Sequence, residues 1–167
     1  YISTRNSKII FSFKEVFLKG LAPDGGLFVP KKIKSYSTKE LIKLKKLNYN
    51  DLASKIILEF TGNEFKESEI KKIIKKSYKD FRVKNAVKIS NLGEIKLLEL
   101  FHGPTLAFKD IAMQVIGNMY EKILSKKNLK INIIVATSGD TGAAAISAIK
   151  DKNNMNIFVL HPENKIS

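Results

Sequence analysis

Several residue types that support particular kinds of chemistry are scarce or missing in this sequence. Cysteine does not occur among the 167 residues, which excludes disulfide bonds and thiolate metal ligands. The two histidines, His102 and His161, are too few for a metal site without suitably spaced carboxylates, so we expect no metal. No run of 18 or more apolar residues occurs, and we therefore expect no membrane-spanning helix and no membrane partner.

Signals at the two ends of the chain are also missing. The sequence starts at Tyr1 without an initiator methionine and without the apolar core of a signal peptide, so we expect a cytoplasmic protein with an incomplete N-terminus. Only seven residues follow the last strand-like run, 156–160, although a parallel sheet normally continues. These features suggest a fragment of a longer protein.

Arginine is scarce in a chain whose formal net charge is +14. Of the 30 basic residues, 28 are lysine, and the two arginines are Arg5 and Arg82. Nucleic-acid surfaces generally use arginine for bidentate contacts to bases and phosphates. We therefore interpret the lysines as solvated helix faces and expect no nucleic-acid partner. A non-catalytic basic binding module built on these helices is the alternative from another functional class.

The sequence predicts two regions with different patterns. Residues 1–85 form a helical region, and residues 86–167 form the start of an α/β domain. Capping residues, glycine ends and apolar periodicity predict four helices: one after Ser12 that ends at Gly20, one after Ser37, one from Asn50 to Gly62, and one over 68–80 with Ile70, Ile73, Ile74 and Tyr78 on one face.

Strands and helices alternate in the second region. We predict strands at 87–90, 95–100, 131–137 and 156–160, and helices at 108–126 and 141–150. The first two strands are candidates for pairing through 91–94, and the continuous apolar run 131–137 is typical of a strand buried on both faces of a parallel sheet. The alternation indicates βαβ units and an α/β fold class, with an incomplete parallel sheet.

Two segments carry the candidate chemistry. The first, ELFHGPTLAFKD at 99–110, places Lys109 at the start of a helix, where a cation is disfavoured by the helix dipole. A lysine that forms a Schiff base with a carbonyl cofactor would explain this position.

The second segment, ATSGDTGAAA at 136–145, joins a strand to a helix. Its turn, 138–142, would present unpaired backbone N–H groups beside the hydroxyls of Ser138 and Thr141, which suits a carboxylate or phosphate. A plainer interpretation makes Asp140 a helix N-cap and the glycines ordinary turn residues. The turn alone leaves these two interpretations balanced.

The residues match one family closely over essentially the whole chain. The chain resembles threonine synthases of the long microbial and fungal type, which depend on pyridoxal phosphate and have the tryptophan-synthase-β-like fold (fold type II). Five segments carry the resemblance in the right order: YISTR at 1–5, GLAPDGGLFVP at 20–30, ELFHGPTLAFKD at 99–110, ATSGDTGAAA at 136–145, and FVLHPENKIS at 158–167.

The resemblance implies a reaction and a set of roles. Lys109 would hold pyridoxal 5'-phosphate as a Schiff base and act as general acid–base at the substrate Cα and Cβ. O-phospho-L-homoserine and water would give L-threonine and phosphate, the last step of threonine biosynthesis. The substrate carboxylate would be held by the turn residues Thr137, Ser138, Gly139, Thr141 and Gly142.

The resemblance implies a less definite role for Asp140, which would flank the phenolic oxygen of the cofactor. More distant members of the fold carry asparagine at this position, and a carboxylate beside a phenolate is repulsive unless one of them is protonated. For His102 in the Lys109 loop, a structural hydrogen bond is at least as plausible as a proton-transfer role.

Two questions stay open at the sequence level. Threonine-synthase-like relatives with the same cofactor eliminate phosphate and release a keto acid, and this chain does not separate that outcome from threonine formation. The loop that grips the cofactor phosphate and the group that faces the pyridine nitrogen are expected beyond Ser167. We therefore expect the 167-residue piece to be inactive and poorly folded by itself. The sequence does not indicate an oligomeric state.

Overall fold

The first three helices each begin where a side chain accepts a hydrogen bond from a free backbone N–H group of the first turn. In the computed structural model, which describes residues 1–165, helix α1 spans Phe13–Lys19 and helix α2 spans Thr38–Leu44. Ser12 and Ser37 are their N-caps, and each forms the full capping box with a glutamate three residues later. Gly20 ends α1 with a φ of 73°, which favours glycine. Both predicted capping boxes are confirmed.

Helix α3 spans Tyr49–Thr61 and begins earlier than the sequence suggested. Asn48, rather than Asn50, is the N-cap, because its backbone is extended and its Oδ1 accepts from Asp51 N at 3.0 Å. The predicted cap at Asn50 is therefore wrong, since this residue lies within the first helical turn. Gly62 ends the helix as predicted, with a φ of 57°.

The chain divides into two units, Tyr1–Lys72 and Ile73–Ser167. In the first unit, strand β1 (Ile2–Ser3) pairs antiparallel with strand β2 (Phe28–Val29). Helix α4 (Glu67–Ser77) spans the division. Its isoleucines Ile70 and Ile74 are fully buried, which confirms the predicted inward face. The predicted domain boundary between residues 85 and 86 stays a prediction.

The second unit contains a hairpin and a βαβ unit. Strands β3 (Lys88–Leu92) and β4 (Ile95–Glu99) pair antiparallel around the turn 93–94, where Gly93 has a φ of 62°. Helix α5 (Asp110–Lys127) follows. A βαβ unit follows, formed by strand β5 (Ile131–Ala136), helix α6 (Asp140–Ile149) and strand β6 (Met155–Leu160). Strands β5 and β6 pair in parallel from Ile131↔Met155 to Ala136↔Leu160.

The predicted pairing of the first two strands is confirmed, because β3 and β4 form the hairpin. In the described residues this hairpin does not join the parallel pair β5–β6. The expectation that β5 is buried on both faces is corrected, because α6 covers one face only: Ile134 on β5 and Phe158 on β6 are 70% and 55% exposed. The fold class itself, α/β with a parallel βαβ unit, is as predicted.

Close packing of α6 against α5 fixes the N-termini of these two helices relative to each other. Ala144, Ala145 and Ala148 of α6 are buried, and the absence of larger side chains lets the helices approach closely. A Cβ at Gly117 of α5 would lie 2.5 Å from the carbonyl oxygen of Ala148. Because real Cβ atoms do not approach oxygen so closely, glycine is required at this crossing.

A polar network around the buried Asn118 also holds α5. Asn118 Nδ2 donates to Ser77 Oγ at 2.9 Å, and Lys152 Nζ donates to Asn118 Oδ1 at 2.7 Å. Burial lowers the pKa of Lys152, while Glu121, 3.4 Å away, opposes that effect. No helix among residues 1–165 has both the length and the apolar character needed to cross a bilayer.

Candidate functional site

Lys109 lies at the N-terminus of α5, as the sequence predicted. It is the N-cap residue, with helical backbone angles (φ −62°, ψ −25°), and its side chain makes no capping hydrogen bond. Its Nζ lies 4.7 Å from the centre of the Phe108 ring. The amine therefore does not cap the helix and lies against the neighbouring aromatic ring.

The loop before Lys109 is held by a carboxylate that the sequence analysis did not single out. Asp110, the first residue of α5, is fully buried. Its Oδ2 accepts from Thr105 N and its Oδ1 accepts from Thr105 Oγ1, both at 2.8 Å. A Cβ at Gly103 would lie 2.4 Å from Asp110 Cβ, so this loop needs glycine there. Asp110 thus fixes the path of the chain that leads into Lys109.

A second carboxylate ties the start of the same loop to the hairpin. His102 Nε2 donates to Glu99 Oε2 at 2.7 Å, and Ser90 Oγ donates to the other carboxylate oxygen. The hydrogen bonds from Ser90 and then from His102 lower the pKa of Glu99. Arg82 N donates to the carbonyl of His102 at 2.9 Å. His102 thus makes the structural contact that the sequence analysis allowed for.

The turn after β5 differs from its expected form. Gly139 is the N-cap of α6, and its amide donates to Thr137 Oγ1 at 3.3 Å. The amide of Gly142 donates to the same hydroxyl, also at 3.3 Å. The expectation of unpaired N–H groups is therefore wrong for these two glycines, because the Thr137 side chain folds back over the turn. A Cβ at Gly142 would lie 2.3 Å from Thr137 Cγ2, which explains why the position is glycine.

The two predicted segments meet through one ion pair. Lys109 Nζ lies 2.8 Å from Asp140 Oδ2, although the residues are 31 positions apart. The Lys109 side chain is 27% exposed and that of Asp140 is 56% exposed. The hydrogen bond from Lys109, followed by its charge, lowers the pKa of Asp140, and the backbone and hydroxyl of Thr141 contribute in the same direction. Asp140 therefore carries a negative charge at neutral pH.

The remaining predicted residues lie around this pair. Thr137 follows β5 directly, Gly139 caps α6, and Thr141 and Gly142 form its first turn together with Asp140. Ser138 is exposed between them. The Nδ1 of His161, after β6, lies 3.1 Å from the carbonyl oxygen of Thr137. Because a carbonyl only accepts, this nitrogen carries the hydrogen, and Nε2 of a neutral His161 is left as an acceptor.

The site combines three kinds of group. The partly buried amine of Lys109, the carboxylate of Asp140 and a turn of small residues converge at the N-termini of two helices. Within residues 1–165, no group of three or more histidine, aspartate or glutamate side chains is placed to hold a metal ion.

The chain is similar to known proteins over its whole length. Residues 1–78 match the family model described as threonine synthase N terminus. Threonine synthase of Pseudomonas aeruginosa is 39% identical over 168 aligned residues, which cover the whole of this chain and 36% of that protein. This chain belongs to the threonine synthase family. Threonine synthase-like 2 of Xenopus laevis, another relative, is 36% identical over 99% of the chain and 35% of its own length.

The fold of the family is also the fold observed here. The crystal structure of pyridoxal-phosphate-bound threonine synthase from Brucella melitensis matches with a TM-score of 0.94 and 35% sequence identity, over 99% of this chain and 36% of that one. The chain thus spans about a third of the length of the family members that it matches. The family resemblance seen in the sequence motifs is confirmed. The last two residues of its fifth motif, 166 and 167, lie outside the described residues.

Proposed function

We propose that this chain supplies the lysine and part of the substrate site of a threonine synthase, which converts O-phospho-L-homoserine and water into L-threonine and phosphate. The observation that carries the proposal is the 2.8 Å contact between Lys109 and Asp140. It joins two segments that are distant in sequence and that both lie at helix N-termini, where anionic groups are favoured. Membership of the threonine synthase family supports the same assignment.

The residues of this site fit pyridoxal phosphate as cofactor. Lys109 would hold it as a Schiff base, because its amine is partly exposed and is not engaged in capping the helix. Asp140 would lie beside the linked nitrogen, since it contacts Nζ in this structure. When bound, pyridoxal phosphate supplies an electron sink for negative charge that develops on the substrate carbons.

The protein residues would then bind the substrate and move protons. Lys109 Nζ would remove protons from Cα and Cβ and later return one to Cα, a general acid–base role for which lysine amines are suited. Ser138 and Thr141 would donate hydroxyl hydrogen bonds to the substrate carboxylate at the N-terminus of α6. Thr137, Gly139 and Gly142 would give the turn its shape, because the Thr137 hydroxyl already binds both glycine amides.

The overall reaction balances without an added oxidant or reductant. One proton leaves Cα and one leaves Cβ, phosphate leaves Cγ with its bonding electrons, and water adds its hydroxyl at Cβ. One proton is added at Cγ to complete the methyl group and one is returned to Cα, while the second hydrogen of water goes to the phosphate. The products are L-threonine and inorganic phosphate.

A second outcome uses the same residues. If water does not add at Cβ, elimination of phosphate is followed by release of ammonia and a keto acid. This alternative is supported by the match to threonine synthase-like 2 of Xenopus laevis, which is 36% identical. The match to Pseudomonas aeruginosa threonine synthase is stronger, at 39% identity, and we therefore favour threonine formation.

Replacement of Lys109 tests the proposed function directly. In the intact protein, Lys109→Ala should lower the rate of phosphate release from O-phosphohomoserine on the order of 10³-fold or more, because the covalent anchor and the proton carrier are both lost. The near-ultraviolet absorption of the lysine-bound cofactor should disappear as well. Lys130→Ala, which removes an exposed lysine just before β5, is the matched control and should leave both unchanged.

Product analysis separates the two outcomes. Threonine in equal amount to phosphate supports the synthase, whereas a keto acid and ammonia support the lyase. If Lys109→Ala retains the activity and the absorption of the unaltered protein, the assignment of Lys109 is wrong.

A further inference from the structure

We propose that His161 is a positioning residue for the turn 138–142, because its side chain supplies a sheet hydrogen bond that the backbone of Pro162 is unable to make. The inference rests on the proposed function and deepens it, since this turn contains the proposed donors to the substrate carboxylate. It assigns a role to a histidine that the proposed reaction does not otherwise use.

The register of the parallel pair β5–β6 shows which backbone hydrogen bond is missing. Ala136 lies opposite Leu160 at the end of the pair, so the next residues, Thr137 and His161, also lie opposite each other. Thr137 N donates to Leu160 O at 3.0 Å. In a parallel ladder, a residue that donates to the residue before its opposite partner accepts from the residue after that partner. The carbonyl of Thr137 would therefore accept from the backbone N–H of residue 162.

The chain has no such donor, because residue 162 is proline and proline has no backbone N–H. The Nδ1 of His161 lies 3.1 Å from the carbonyl oxygen of Thr137 and donates to it instead. The imidazole thus replaces the backbone donor that proline removes. It extends the pairing of β5 and β6 by one hydrogen bond, at the point where β5 leads into the turn.

This hydrogen bond fixes the direction in which the chain enters the turn. The carbonyl of Thr137 and the N–H of Ser138 belong to one planar peptide group, so a carbonyl held by His161 directs the Ser138 N–H the opposite way. The hydroxyl of Thr137 also accepts from Gly139 N at 3.3 Å. Rotation of this peptide would therefore displace Ser138, whose hydroxyl is a proposed donor to the substrate carboxylate.

Two replacements of His161 separate its donor from its size. His161→Phe keeps a planar ring but has no donor. His161→Asn places its Nδ2 the same number of bonds from the backbone as the histidine Nδ1, so a donor remains and this variant is the matched control. Because His161 is exposed, both variants should fold. His161→Ser, whose hydroxyl is nearer to the backbone, is the second variant without the bond should His161→Phe not fold.

Hydrogen exchange measures the turn without cofactor or substrate. In the intact cofactor-free protein, mass spectrometry follows the amides of a peptide that covers 136–145. His161→Phe should raise their exchange rate by about three- to tenfold, the factor expected for the loss of one net hydrogen bond, whereas His161→Asn should exchange nearly as slowly as the unaltered protein.

Replacement of Pro162 should rescue the loss. Adding Pro162→Ala to His161→Phe returns a backbone N–H at the position where the ladder requires one, so exchange of 136–145 should slow again. The new amide of residue 162 lies outside the measured peptide and does not contribute to this readout. A histidine that merely fills space at the end of the sheet would not be rescued in this way.

Substrate kinetics give the functional readout. In the cofactor-loaded protein, His161→Phe should raise KM for O-phosphohomoserine by about three- to tenfold and change kcat by less than about twofold, because the turn binds the carboxylate and does not touch the reacting carbons. The same rescue by Pro162→Ala is expected for KM.

The outcomes distinguish this inference from the proposed function. If exchange and KM are unchanged in His161→Phe, or if Pro162→Ala does not restore them, the inference is overturned while the role of Lys109 stands. If the unaltered protein shows no phosphate release that depends on Lys109, the proposed function fails, and the exchange measurements still decide whether His161 holds the turn.

Discussion

At the scale of single residues, Asp110 shows how one buried carboxylate organises a reactive loop. Its two oxygens accept the backbone N–H and the hydroxyl of Thr105, and it lies at the first position of α5, where the helix dipole favours a negative charge. Leu106, which follows Thr105, has a φ of 63°, a conformation that leucine rarely adopts. The buried hydrogen bonds therefore hold a strained turn directly before the lysine.

Removal of the Thr105 hydroxyl tests this role. Thr105→Val keeps the shape of the side chain but leaves one oxygen of the buried Asp110 without its donor, so the free energy of unfolding should fall by about 1.5–3 kcal/mol. Thr105→Ser keeps the hydroxyl and is the matched control, with a much smaller loss. Chemical denaturation of the intact protein measures both. Equal losses in the two variants would show that the hydroxyl does not carry the effect.

Residues with a local signal were predictable, whereas their partners were not. The position of Lys109 at a helix start and of Asp140 in a turn before a helix follows from strand and helix patterns. The pairing of Asp110 with Thr105, and of Glu99 with His102, depends on how an irregular loop folds back on itself. The same is true of Thr137, whose hydroxyl binds the amides that the sequence suggested were unpaired.

At the scale of secondary-structure elements, the crossing of α5 and α6 fixes the N-terminus of one helix relative to the N-terminus of the other. Gly117 lies at that crossing, and any side chain there would meet the carbonyl of Ala148. Asn118, the next residue, is fixed by Ser77 and Lys152. Because neither helix can slide without breaking these contacts, Lys109 and Asp140 stay within hydrogen-bonding distance.

Replacement of Gly117 by alanine at this crossing should lower the stability of the protein, which is the opposite of the usual effect of this substitution in a helix. Glycine to alanine in a helix interior normally stabilises by about 1 kcal/mol. Gly117→Ala should instead destabilise by about 1–3 kcal/mol, since the added carbon would lie 2.5 Å from an oxygen. It should also weaken cofactor uptake by moving α5 relative to α6. Thermal unfolding of the intact protein measures the change, and a rise in melting temperature would contradict it.

Helix ends, which depend on side chains a few residues away, were predicted better than the burial of strands, which depends on elements distant in the sequence. The capping boxes at Ser12 and Ser37 depend on side chains three residues away, and both helices were found where expected. The error at α3 was small, because Asn48 and Asn50 are equally good caps and only the backbone decides between them. The β3–β4 hairpin was likewise predicted from its short turn. The coverage of β5 depends on the other elements of the chain, which apolar runs do not specify.

At the scale of the whole molecule, the charge of +14 has to be reconciled with the proposed binding of a small anionic substrate. Much of the lysine is dispersed over helices, and several lysines pair with glutamates, as Lys34 does with Glu59 and Lys71 with Glu67. Exposed pairs of this kind contribute little to stability. We interpret the excess charge as a general surface property that also attracts anions from a distance.

Salt dependence distinguishes this interpretation from the basic binding module. Any complex of the intact protein with DNA or RNA should be independent of sequence and should be lost at about 0.15 M salt, because binding rests on counterion release alone. Gel-shift titrations at several salt concentrations, with unrelated duplexes as competitors, measure this. A complex that survives and selects one sequence would favour the binding module.

The hydroxyl of Thr137 has one further consequence for ligand choice. It already accepts from the amide of Gly139, so a carboxylate that reached this amide would exchange one acceptor for another, and the number of hydrogen bonds would not increase. The benefit of the exchange comes from the ligand's negative charge, since hydrogen bonds to ionised oxygens are stronger than those to a hydroxyl. The turn would therefore discriminate by ionisation: an acid gains from displacing the threonine, whereas its amide or ester does not.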